Sequence, residues 1–413
     1  MTKYKLGELV EVTRGASLSG QFYAEEGKLI RLTLGNFNMN GGGFKENTSK
    51  TDLYYTGIVK DEFILNEGDI ITPLTEQSLG LLGTTARIPD SGKYIQSQDV
   101  ALVKCKEGLL DPNFCYYLIS SSIVRQQLSA GAQQTKIRHT SPDKIKDSTV
   151  WVPELEVQKS IGRILSDIDE KIALNRQIND NLEAMAKQLY DYWFVQFDFP
   201  NEEGKPYKSS GGALVWNEKL KREIPQEWSY CKLKDFINLF DSKRVPLSSK
   251  DRGERQGVYP YYGATGIMDY VNDYIFDGDY ILLAEDGSTS DAKGFPIVQY
   301  IWGKNWVNNH AHIILPKNER STMFTYQMLR SIPAKQIETG SIQKKISQEN
   351  LCGYKMVLPN SNLLEKYENV VSPLWEKRKR CIEEINTLTR QRDELLPLLM
   401  NGQASVNYHL SDD

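Results

Sequence analysis

The sequence lacks the signals of a membrane or secreted protein. It contains no run of about 18 apolar residues that could span a bilayer, and Met1 to Leu6 do not start an apolar signal segment. We therefore expect a soluble, cytoplasmic protein without membrane contacts.

The chain is also poor in the residues that build disulfide frameworks and metal modules. It has five cysteines, none in a Cys-x-x-Cys pair, and four histidines. Scattered cysteines are typical of free buried thiols. His310 and His312 form the one close histidine pair, and no further ligand stands out nearby in the sequence. We therefore predict no metal site.

Motifs for catalysis are missing as well. The sequence contains no Gly-x-x-x-x-Gly-Lys-Ser/Thr loop for nucleotide phosphates, no Gly-x-Gly-x-x-Gly fingerprint, and no Asn/Asp-Pro-Pro-aromatic run of the adenine methyltransferase kind. The Glu285-Asp286 turn holds two acids without an evident basic or metal partner, so an acid/base role is unsupported. These absences argue against a self-sufficient DNA-modifying enzyme.

Two long heptad patterns organise the 413 residues. In each, apolar or seam residues recur at alternating steps of four and three, which is typical of coiled coils. A helix of roughly 40 residues would be about 60 Å long, so each helix is expected to need the other as an antiparallel partner. The expected pairing residues are Ile161, Leu165, Ile168, Ile172, Asn175, Asn179 and Leu182 in the first helix, and Leu374, Arg378, Cys381, Ile385, Leu388, Arg392 and Leu395 in the second.

Three residues qualify the helix prediction. Polar seam members such as Asn175 cost stability but can fix the register. Pro373 removes one backbone donor, so the second helix is expected to kink or to start later than Leu363. Gly402 is a plausible stop after Asn401.

The two halves of the chain repeat each other with a period of about 210 residues. Gly278 to Leu282 echoes Gly68 to Thr72, and Gly340 to Ile346 matches Gly131 to Ile137. Framework segments correspond while the loops between them differ. Two similar scaffolds with different loops are suited to two different targets.

Each half is predicted to be a mixed, strand-rich domain. In the first, strands are expected at Leu6 to Val12, Gly68 to Thr72, Val100 to Val103 and Ser148 to Val152. One helix should run from an Asp111 cap through Pro112 to Leu128. The net charge of −4 argues weakly against nucleic acid, but the long helices carry many of the acids and the loops carry basic residues.

Several runs in the second half resemble, in order, the target-recognition domains of the specificity subunits of type I restriction-modification enzymes. These runs are Ile224-Pro225-Gln226-Glu227-Trp228, Tyr259 to Gly266, Leu282 to Gly287 and Trp306 to Ala311. The helix segments Lys171 to Asn179, Trp193-Phe194 and Leu395 to Gly402 are similar to the conserved helices of that family. The first domain departs from the pattern, because it starts at Leu6-Gly7-Glu8-Leu9 without the Ile-Pro-x-x-Trp entry.

The resemblance implies an α+β fold with two tandem mixed α/β target-recognition domains, each followed by a long helix. The expected boundaries are 1–153 for the first domain, 154–196 for its helix, 197–212 for a linker, 213–360 for the second domain, 361–402 for its helix and 403–413 for a tail. It also implies a non-catalytic DNA reader, in which each domain reads one half of a split, asymmetric double-stranded DNA site and the helices set the gap.

The resemblance further implies partners. Two modification subunits would dock on the helices and supply S-adenosylmethionine and adenine methylation, and restriction subunits would use ATP and Mg²⁺. This chain itself would bind no cofactor. The residues expected to contact DNA are Gln134, Lys136 and Arg138 in the first domain and Tyr261, Thr265, Ser288, Asn308, Gln343, Lys344 and Lys345 in the second. Basic side chains suit phosphates, and amides and hydroxyls suit base edges.

A second hypothesis remains open on the sequence. A coiled-coil structural adaptor could use the same long helices to join partner proteins without reading DNA. The duplicated domains with divergent loops favour the DNA reader, because an adaptor does not need two domains that carry different loops.

Overall fold

The computed structural model describes residues 1–39, 42–77, 79–130, 138–318, 321–340 and 344–404. They form two compact units. Unit 1 contains Met1–Gln177 and the described residues from Cys381 onward, and unit 2 contains Ile178–Arg380. Unit 1 is therefore discontinuous in sequence, whereas unit 2 is one uninterrupted stretch.

The elements up to the first long helix are mostly short strands, with a few short helices. They are β1 Thr2–Lys5, α1 Leu6–Leu9, β2 Val10–Arg14, β3 Tyr23–Ala24, β4 Leu29–Arg31, β5 Tyr54–Tyr55, β6 Ile70–Pro73, β7 Thr75–Glu76, β8 Ala86–Arg87, β9 Tyr94–Ile95, β10 Val100–Cys105, α2 Pro112–Ser120, α3 Ser122–Ala130, β11 Arg138–His139, α4 Pro142–Lys146, β12 Thr149–Val152 and α5 Leu155–Tyr190.

The remaining elements follow the same plan. They are β13 Leu214–Asn217, β14 Arg222–Pro225, β15 Ser229–Lys232, α6 Leu233–Phe236, β16 Ile237–Leu239, α7 Ser249–Glu254, β17 Gln256–Tyr262, β18 Ile267–Val271, β19 Phe276–Asp277, β20 Tyr280–Ala284, β21 Val298–Ile301, β22 Lys304–Val307, β23 Ala311–Pro316, α8 Thr322–Ser331, β24 Glu338–Thr339, β25 Lys345–Ile346, α9 Gln348–Gly353, β26 Lys355–Leu358 and α10 Ser361–Met400.

The two units share one sheet topology. The central sheet of unit 1 has the order β2-β10-β6-β8, and that of unit 2 has the order β16-β23-β20-β21. In each unit a strand near the start pairs antiparallel with the strand before the long helix, β1 with β12 and β15 with β26. A short helix follows β1 and β15 in both units, α1 and α6. This common topology confirms the predicted duplication.

The start of unit 1 differs from the predicted strand. Leu6–Leu9 forms a short helix, and the strand begins only at Val10. Glu8 accepts a hydrogen bond from the backbone N–H of Lys5 at 2.7 Å, which closes the first turn. Leu6 and Leu9, three residues apart, are both buried. The apolar spacing that was interpreted as a strand is therefore one turn of helix.

The helix predicted from Pro112 to Leu128 is two helices. The expected cap is confirmed, because Asp111 accepts from the N–H of Phe114 at 2.9 Å and Pro112 occupies the first turn. Ser121 then adopts extended backbone angles, φ −64° and ψ 153°, and its hydroxyl donates to the carbonyl of Leu118. A serine that bonds the preceding turn offers the backbone an alternative to helix, which ends α2 there.

The long helices run antiparallel within each unit. In unit 1 Asn175 donates to Glu384 at 3.0 Å and Arg392 pairs with Asp169 at 2.8 Å. In unit 2 Arg378 pairs with Glu183 at 2.6 Å. Partner numbers on α10 fall as those on α5 rise, as antiparallel helices require.

Most predicted seam positions lie inside these helix pairs. Ile161, Leu165, Ile172, Asn175, Cys381 and Arg392 are buried, and Ile168, Asn179, Leu182, Leu374, Arg378, Ile385, Leu388 and Leu395 are half-buried. The Oδ1 atom of Asn179 is buried and finds no hydrogen-bond partner among the residues that the structure describes. Asn179 therefore contributes polarity to the seam without a compensating bond.

Pro373 does not delay the second helix, which starts at Ser361 and continues across it. The Pro373 side chain is exposed, so the ring faces solvent and the core is undisturbed. The helix ends at Met400, and Gly402 has φ of 74°, the left-handed conformation that suits a glycine stop. The stop at Gly402 is thus confirmed.

The segment 197–212, predicted to be a linker, is folded against unit 2. Phe199 is buried and stacks on Trp228 and Tyr207, with ring centroids 5.1 and 4.6 Å apart. Asp198 accepts from the backbone N–H of Ser209 at 2.7 Å, which closes the segment into a loop. Pro, Gly and Ser content indicated a flexible connection, but Phe199 anchors the segment through its contacts with Trp228 and Tyr207.

Each unit has its own apolar core. In unit 1, Leu399 and Met400 of α10 join a cluster that contains Leu6, Phe114 and Ile161. In unit 2, Trp193, Phe194, Phe324 and Tyr367 belong to a large aromatic cluster. Among the described residues, no helix combines the length and the apolar character needed to cross a membrane.

Candidate nucleic-acid interface

Four loops of unit 2 meet beside its central sheet. They are the β17–β18 turn at 263–266, the turn after β20 at 285–290, the segment before β23 at 308–310, and the β24–β25 loop, of which 340 and 344 are described. Backbone bonds join them: Glu285 N–H donates to the His310 carbonyl, and Ile346 N–H donates to the Glu285 carbonyl, both at 2.8 Å. These loops form one continuous polar surface, which we call the loop face.

Two predicted contact residues stand at the rim of the loop face. Lys344 and Lys345 each expose about half of the side chain, 52% and 51%. Lys344 pairs with Glu338 and Lys345 with Glu285, each at 3.2 Å. Half-exposed lysines have room to contact a phosphate while keeping one carboxylate neighbour. Gln343 lies outside the described residues.

Thr265 and Ser288 are exposed on neighbouring loops. The turn that carries Thr265 is held from below, because Gln299 Nε2 donates to the carbonyls of Gly263 and Ala264 at 3.0 Å each. Ser288 is followed by Thr289, which is buried and donates to Glu338 at 2.6 Å. Both hydroxyls therefore project from anchored backbone, and their contact with DNA stays a prediction.

Tyr261 and Asn308 lie inside the scaffold. Tyr261 is 1% exposed, and its hydroxyl accepts from the backbone N–H of Leu247 at 2.9 Å. Asn308 is 3% exposed; its amide oxygen accepts from His310 N–H at 2.8 Å, and its nitrogen contacts Met268 Sδ at 3.3 Å. In this structure both residues support loops of the loop face from beneath.

A buried ion-pair network underlies the loop face. His312 is fully buried, and its Nδ1 lies 2.6 Å from Asp241 Oδ2. Arg244 donates to Glu285 at 2.8 Å and to the Ala311 carbonyl at 2.8 Å. Asp241 and Arg244 belong to one turn after β16, and Glu285 follows β20, so the network ties these two stretches to β23.

The pKa values of both carboxyls are held below their usual range. Burial by itself would raise the pKa of Asp241, but hydrogen bonds from His312, Ile313 N–H and Gln348, with the charge of His312, outweigh it. Burial would also raise the pKa of Glu285, and Arg244, His312 and Lys345 outweigh it there. Both carboxylates are therefore ionised at neutral pH.

Asp241, Glu285 and His312 also bring three potential metal-ligand atoms within 4.8 Å of one another. The sequence analysis missed this cluster, because Asp241 is 71 residues away from His312 along the chain. Arg244 and Lys345 already pair with Glu285, and Gln348 donates to Asp241 at 2.6 Å. With cations on the carboxylates, we interpret the cluster as an ion-pair network.

His310 and His312 do not share one environment. His310 precedes β23, is half-exposed and lies 2.6 Å from Asp286 Oδ1. His312 is inside the network. β23 starts only at Ala311, so the alternate spacing of the two histidines does not place them on one strand face.

The equivalent region of unit 1 is built around Glu76. Glu76 is 1% exposed and accepts from the backbone N–H groups of Gly80, Leu81 and Leu82 at 3.1, 3.0 and 3.0 Å. Arg138, a predicted contact residue, pairs with Glu76 at 3.1 Å and is 22% exposed. Arg138 therefore braces the glycine-containing loop. Gln134 and Lys136 lie outside the described residues.

Comparison with known proteins assigns these units to a family. The family model for the type I restriction modification DNA specificity domain matches residues 1–184 and again residues 225–366. The specificity subunit of the type I restriction enzyme MjaIX from Methanocaldococcus jannaschii is 23% identical, over 73% of this chain and 71% of its own. A putative type I specificity subunit from Mycoplasma pneumoniae is 22% identical, over 96% of this chain and 94% of its own.

A solved structure shares the fold. The crystal structure of a type I restriction-modification system S subunit from M. genitalium superimposes with a TM-score of 0.60 and 19% identity, covering 97% of this chain and 96% of that one. Two family matches fall on the two repeated units, and relatives with the family name extend over most of the chain. The chain therefore belongs to the type I restriction-modification DNA specificity family.

Proposed function

We propose that this chain is the DNA sequence-specificity subunit of a type I restriction-modification complex. Each target-recognition domain reads one half of a split, asymmetric site, and α5 and α10 set the gap and dock the modification subunits. The observation that carries the proposal is the duplicated family domain, matched in both units, with loops that differ between the copies. That duplication also favours the DNA reader over the structural adaptor.

The loop face supplies the chemistry for reading DNA. Exposed hydroxyls at Thr265 and Ser288 suit base edges or phosphate oxygens, and Lys344 and Lys345 suit phosphates. Buried anchors hold the turns that carry Thr265 and Ser288, so these contacts would not require those turns to order on binding. In unit 1, Gln134, Lys136 and Arg138 are the corresponding proposed contacts.

The chain itself would be non-catalytic and would bind no cofactor. Modification subunits would supply S-adenosylmethionine and adenine methylation, and restriction subunits would use ATP and Mg²⁺ for translocation and cleavage. Two modification subunits are proposed, because two reading domains present two half-sites, each with an adenine to modify.

The test is a methylation map of a genome. The full chain is co-expressed with its neighbouring modification subunit, and methylated adenines are mapped with wild-type protein and with the Lys344→Ala/Lys345→Ala variant. The matched control is Lys232→Ala/Lys355→Ala, which removes two exposed lysines that face each other across β15 and β26, outside the loop face.

The expected result is a split, asymmetric motif that requires this chain. The Lys344/Lys345 variant should lower methylation at that motif, and the control should leave it unchanged. A stable complex that methylates no defined motif would overturn the proposal in favour of the adaptor. Equal losses of methylation in both double variants would show that Lys344 and Lys345 have no specific role in DNA contact.

A further inference from the structure

The His312 ring lies between two acceptors. Its Nδ1 is 2.6 Å from Asp241 Oδ2, and its Nε2 is 2.8 Å from the carbonyl oxygen of Ile346. The side chain has no exposed surface, so water does not substitute for either partner.

The chemistry of these partners fixes the protons on the ring. A carbonyl oxygen only accepts, so Nε2 must carry a hydrogen and donate it to Ile346. The Asp241 carboxylate also accepts from Ile313 N–H at 2.9 Å and from Gln348 Nε2 at 2.6 Å. An ionised carboxylate that accepts three bonds leaves Nδ1 as a donor too, and a ring that donates from both nitrogens is an imidazolium.

The surrounding charges are those that a buried imidazolium needs. Glu285 Oε2 lies 3.7 Å from Nδ1, so the ring faces two carboxylates. Arg244 is 2.8 Å from Glu285 and 3.6 Å from Asp241, and Lys345 is 3.2 Å from the other oxygen of Glu285. Cys352 of α9 is the remaining titratable neighbour of Asp241, and burial first, then Asp241, raises the pKa of its thiol. Outside the network, Asp286 pairs with His310 at 2.6 Å.

The carbonyl that accepts from the ring belongs to the strand that carries Lys345. Ile346 is held on one side by its N–H bond to the Glu285 carbonyl at 2.8 Å, and on the other by the His312 bond. Its side chain is fully buried. β24 pairs with β25 as well, so the backbone of Lys345 and Ile346 is held by β24, by the Glu285 carbonyl and by the His312 ring.

We propose that His312 is a positioning residue whose doubly protonated ring holds β25 so that Lys344 and Lys345 face DNA. The proposal rests on the proposed DNA-reading function. The ring donates to Asp241 through Nδ1 and to Ile346 through Nε2, so its replacement removes both bonds at once.

The first experiment needs no DNA. Side-chain ¹⁵N NMR of the full chain, with the His312 signal identified by its absence in His312→Gln, reports the protonation of each ring nitrogen. We expect two protonated nitrogens at about pH 6.5. A single protonated nitrogen there would overturn the proposal. Amide exchange should be at least about tenfold faster at Ile346 and Ser347 in His312→Gln, and unchanged exchange would refute the positioning of β25.

The second experiment measures the DNA affinity of the full chain in complex with its modification subunits. His312→Gln should bind DNA about tenfold more weakly than wild type, and His310→Gln should keep the wild-type affinity. A His312→Gln protein that is less stable but binds DNA as tightly as wild type would limit His312 to a structural role. If that variant does not fold, the protonation of the wild-type ring decides alone.

The two proposals fail separately. Wild-type protein that binds no DNA at any pH would overturn the proposed function, while the ring protonation and the Ile346 exchange would still decide whether His312 holds β25. A His312→Gln protein that binds DNA as tightly as wild type would retain the proposed function and overturn the positioning role of His312.

Discussion

Arg392 on α10 donates to Asp169 on α5, with Nη1 and Oδ1 2.8 Å apart. Tyr117 of α2 donates to the other oxygen of the same carboxylate at 2.7 Å. The Arg392 side chain is only 9% exposed. A charge at a heptad seam position is thus paired across the helices and linked to the recognition domain of unit 1, which gives the helix pair a defined register.

Replacing Arg392 by alanine should destabilise unit 1 by about 3 kcal/mol, because the Asp169 carboxylate would lose its buried cation. Arg390→Ala is the matched control, since Arg390 is exposed on the same helix; it should change stability by less than about 0.5 kcal/mol. Urea unfolding followed through a probe in unit 1 measures both. Equal effects of the two substitutions would show that the Asp169 pair contributes nothing specific.

Replacing Glu76 by alanine should cost unit 1 about 3 kcal/mol, since three backbone N–H groups and the Arg138 guanidinium would lose their buried partner. Glu76→Gln keeps an acceptor oxygen without the charge and should fall between wild type and Glu76→Ala. Thermal unfolding compares these variants with Glu107→Ala, which alters an exposed acid in the same unit. A Glu76→Ala protein as stable as the Glu107 control would contradict this role.

Glu368 should make unit 2 less stable as the pH rises. Its carboxyl lies beside the start of α8, where Met323 N–H donates to it at 3.1 Å. Burial raises the pKa of Glu368 to about 7, although bonds from Met323, Phe324 and Ser372 lower it. A raised carboxyl pKa means that the folded state holds a proton that the unfolded state releases. The stabilisation is complete below about pH 4.3 and is lost as pH rises through about 7, a change of about 3 kcal/mol.

Glu368→Gln, which resembles the protonated acid, should remove this pH dependence. The melting temperatures of variant and wild type should agree near pH 4, and the variant should be the more stable by pH 8, with the difference growing between them. Glu394→Gln, an exposed substitution on the same helix, is the control. A constant difference at every pH would mean that the Glu368 proton is not linked to folding.

Lys344→Ala/Lys345→Ala should weaken DNA binding in a salt-dependent way. Each lysine that neutralises a phosphate contributes about 0.9 to the slope of log affinity against log salt. The double variant should therefore lower that slope by about 2, and the Lys232→Ala/Lys355→Ala control should retain it. Titration of the complex with duplex DNA at several salt concentrations gives both slopes. An unchanged slope in the Lys344/Lys345 variant would show that neither lysine contacts a phosphate.

The features that could be predicted from the sequence are those that depend on hydrophobic periodicity and on the internal repeat. Alternating steps of three and four located the faces of α5 and α10, and the echo of Gly68 to Thr72 at Gly278 to Leu282 located equivalent strands in the two sheets. Predictions from such patterns are reliable because many residues contribute to each pattern. Predictions from a few local residues were less accurate. The apolar spacing at Leu6 and Leu9 fits one helical turn as well as a strand, and the Glu8 hydrogen bond favours the turn.

The buried ion-pair network beneath the loop face could not be predicted from the sequence. Asp241, Glu285 and His312 come together only after β16, β20 and β23 have paired in one sheet. Arg244 carried no signal, since one arginine after a strand is usually solvated. The aromatic packing of the segment 197–212 could not be predicted either. Its composition is typical of a linker, but the stacking of Phe199 on Tyr207 folds it.

The discontinuity of unit 1 reverses the usual order of folding during synthesis. Its core includes Leu399 and Met400, which are translated after the whole of unit 2, whereas unit 2 is one uninterrupted stretch. At about 5–20 residues per second, the first recognition domain must wait roughly 10 to 40 seconds between translation of Gln177 and arrival of Cys381. Of the two domains, the one translated first is thus completed second, and a ribosome that stalls between Arg380 and Leu399 leaves its apolar core uncovered.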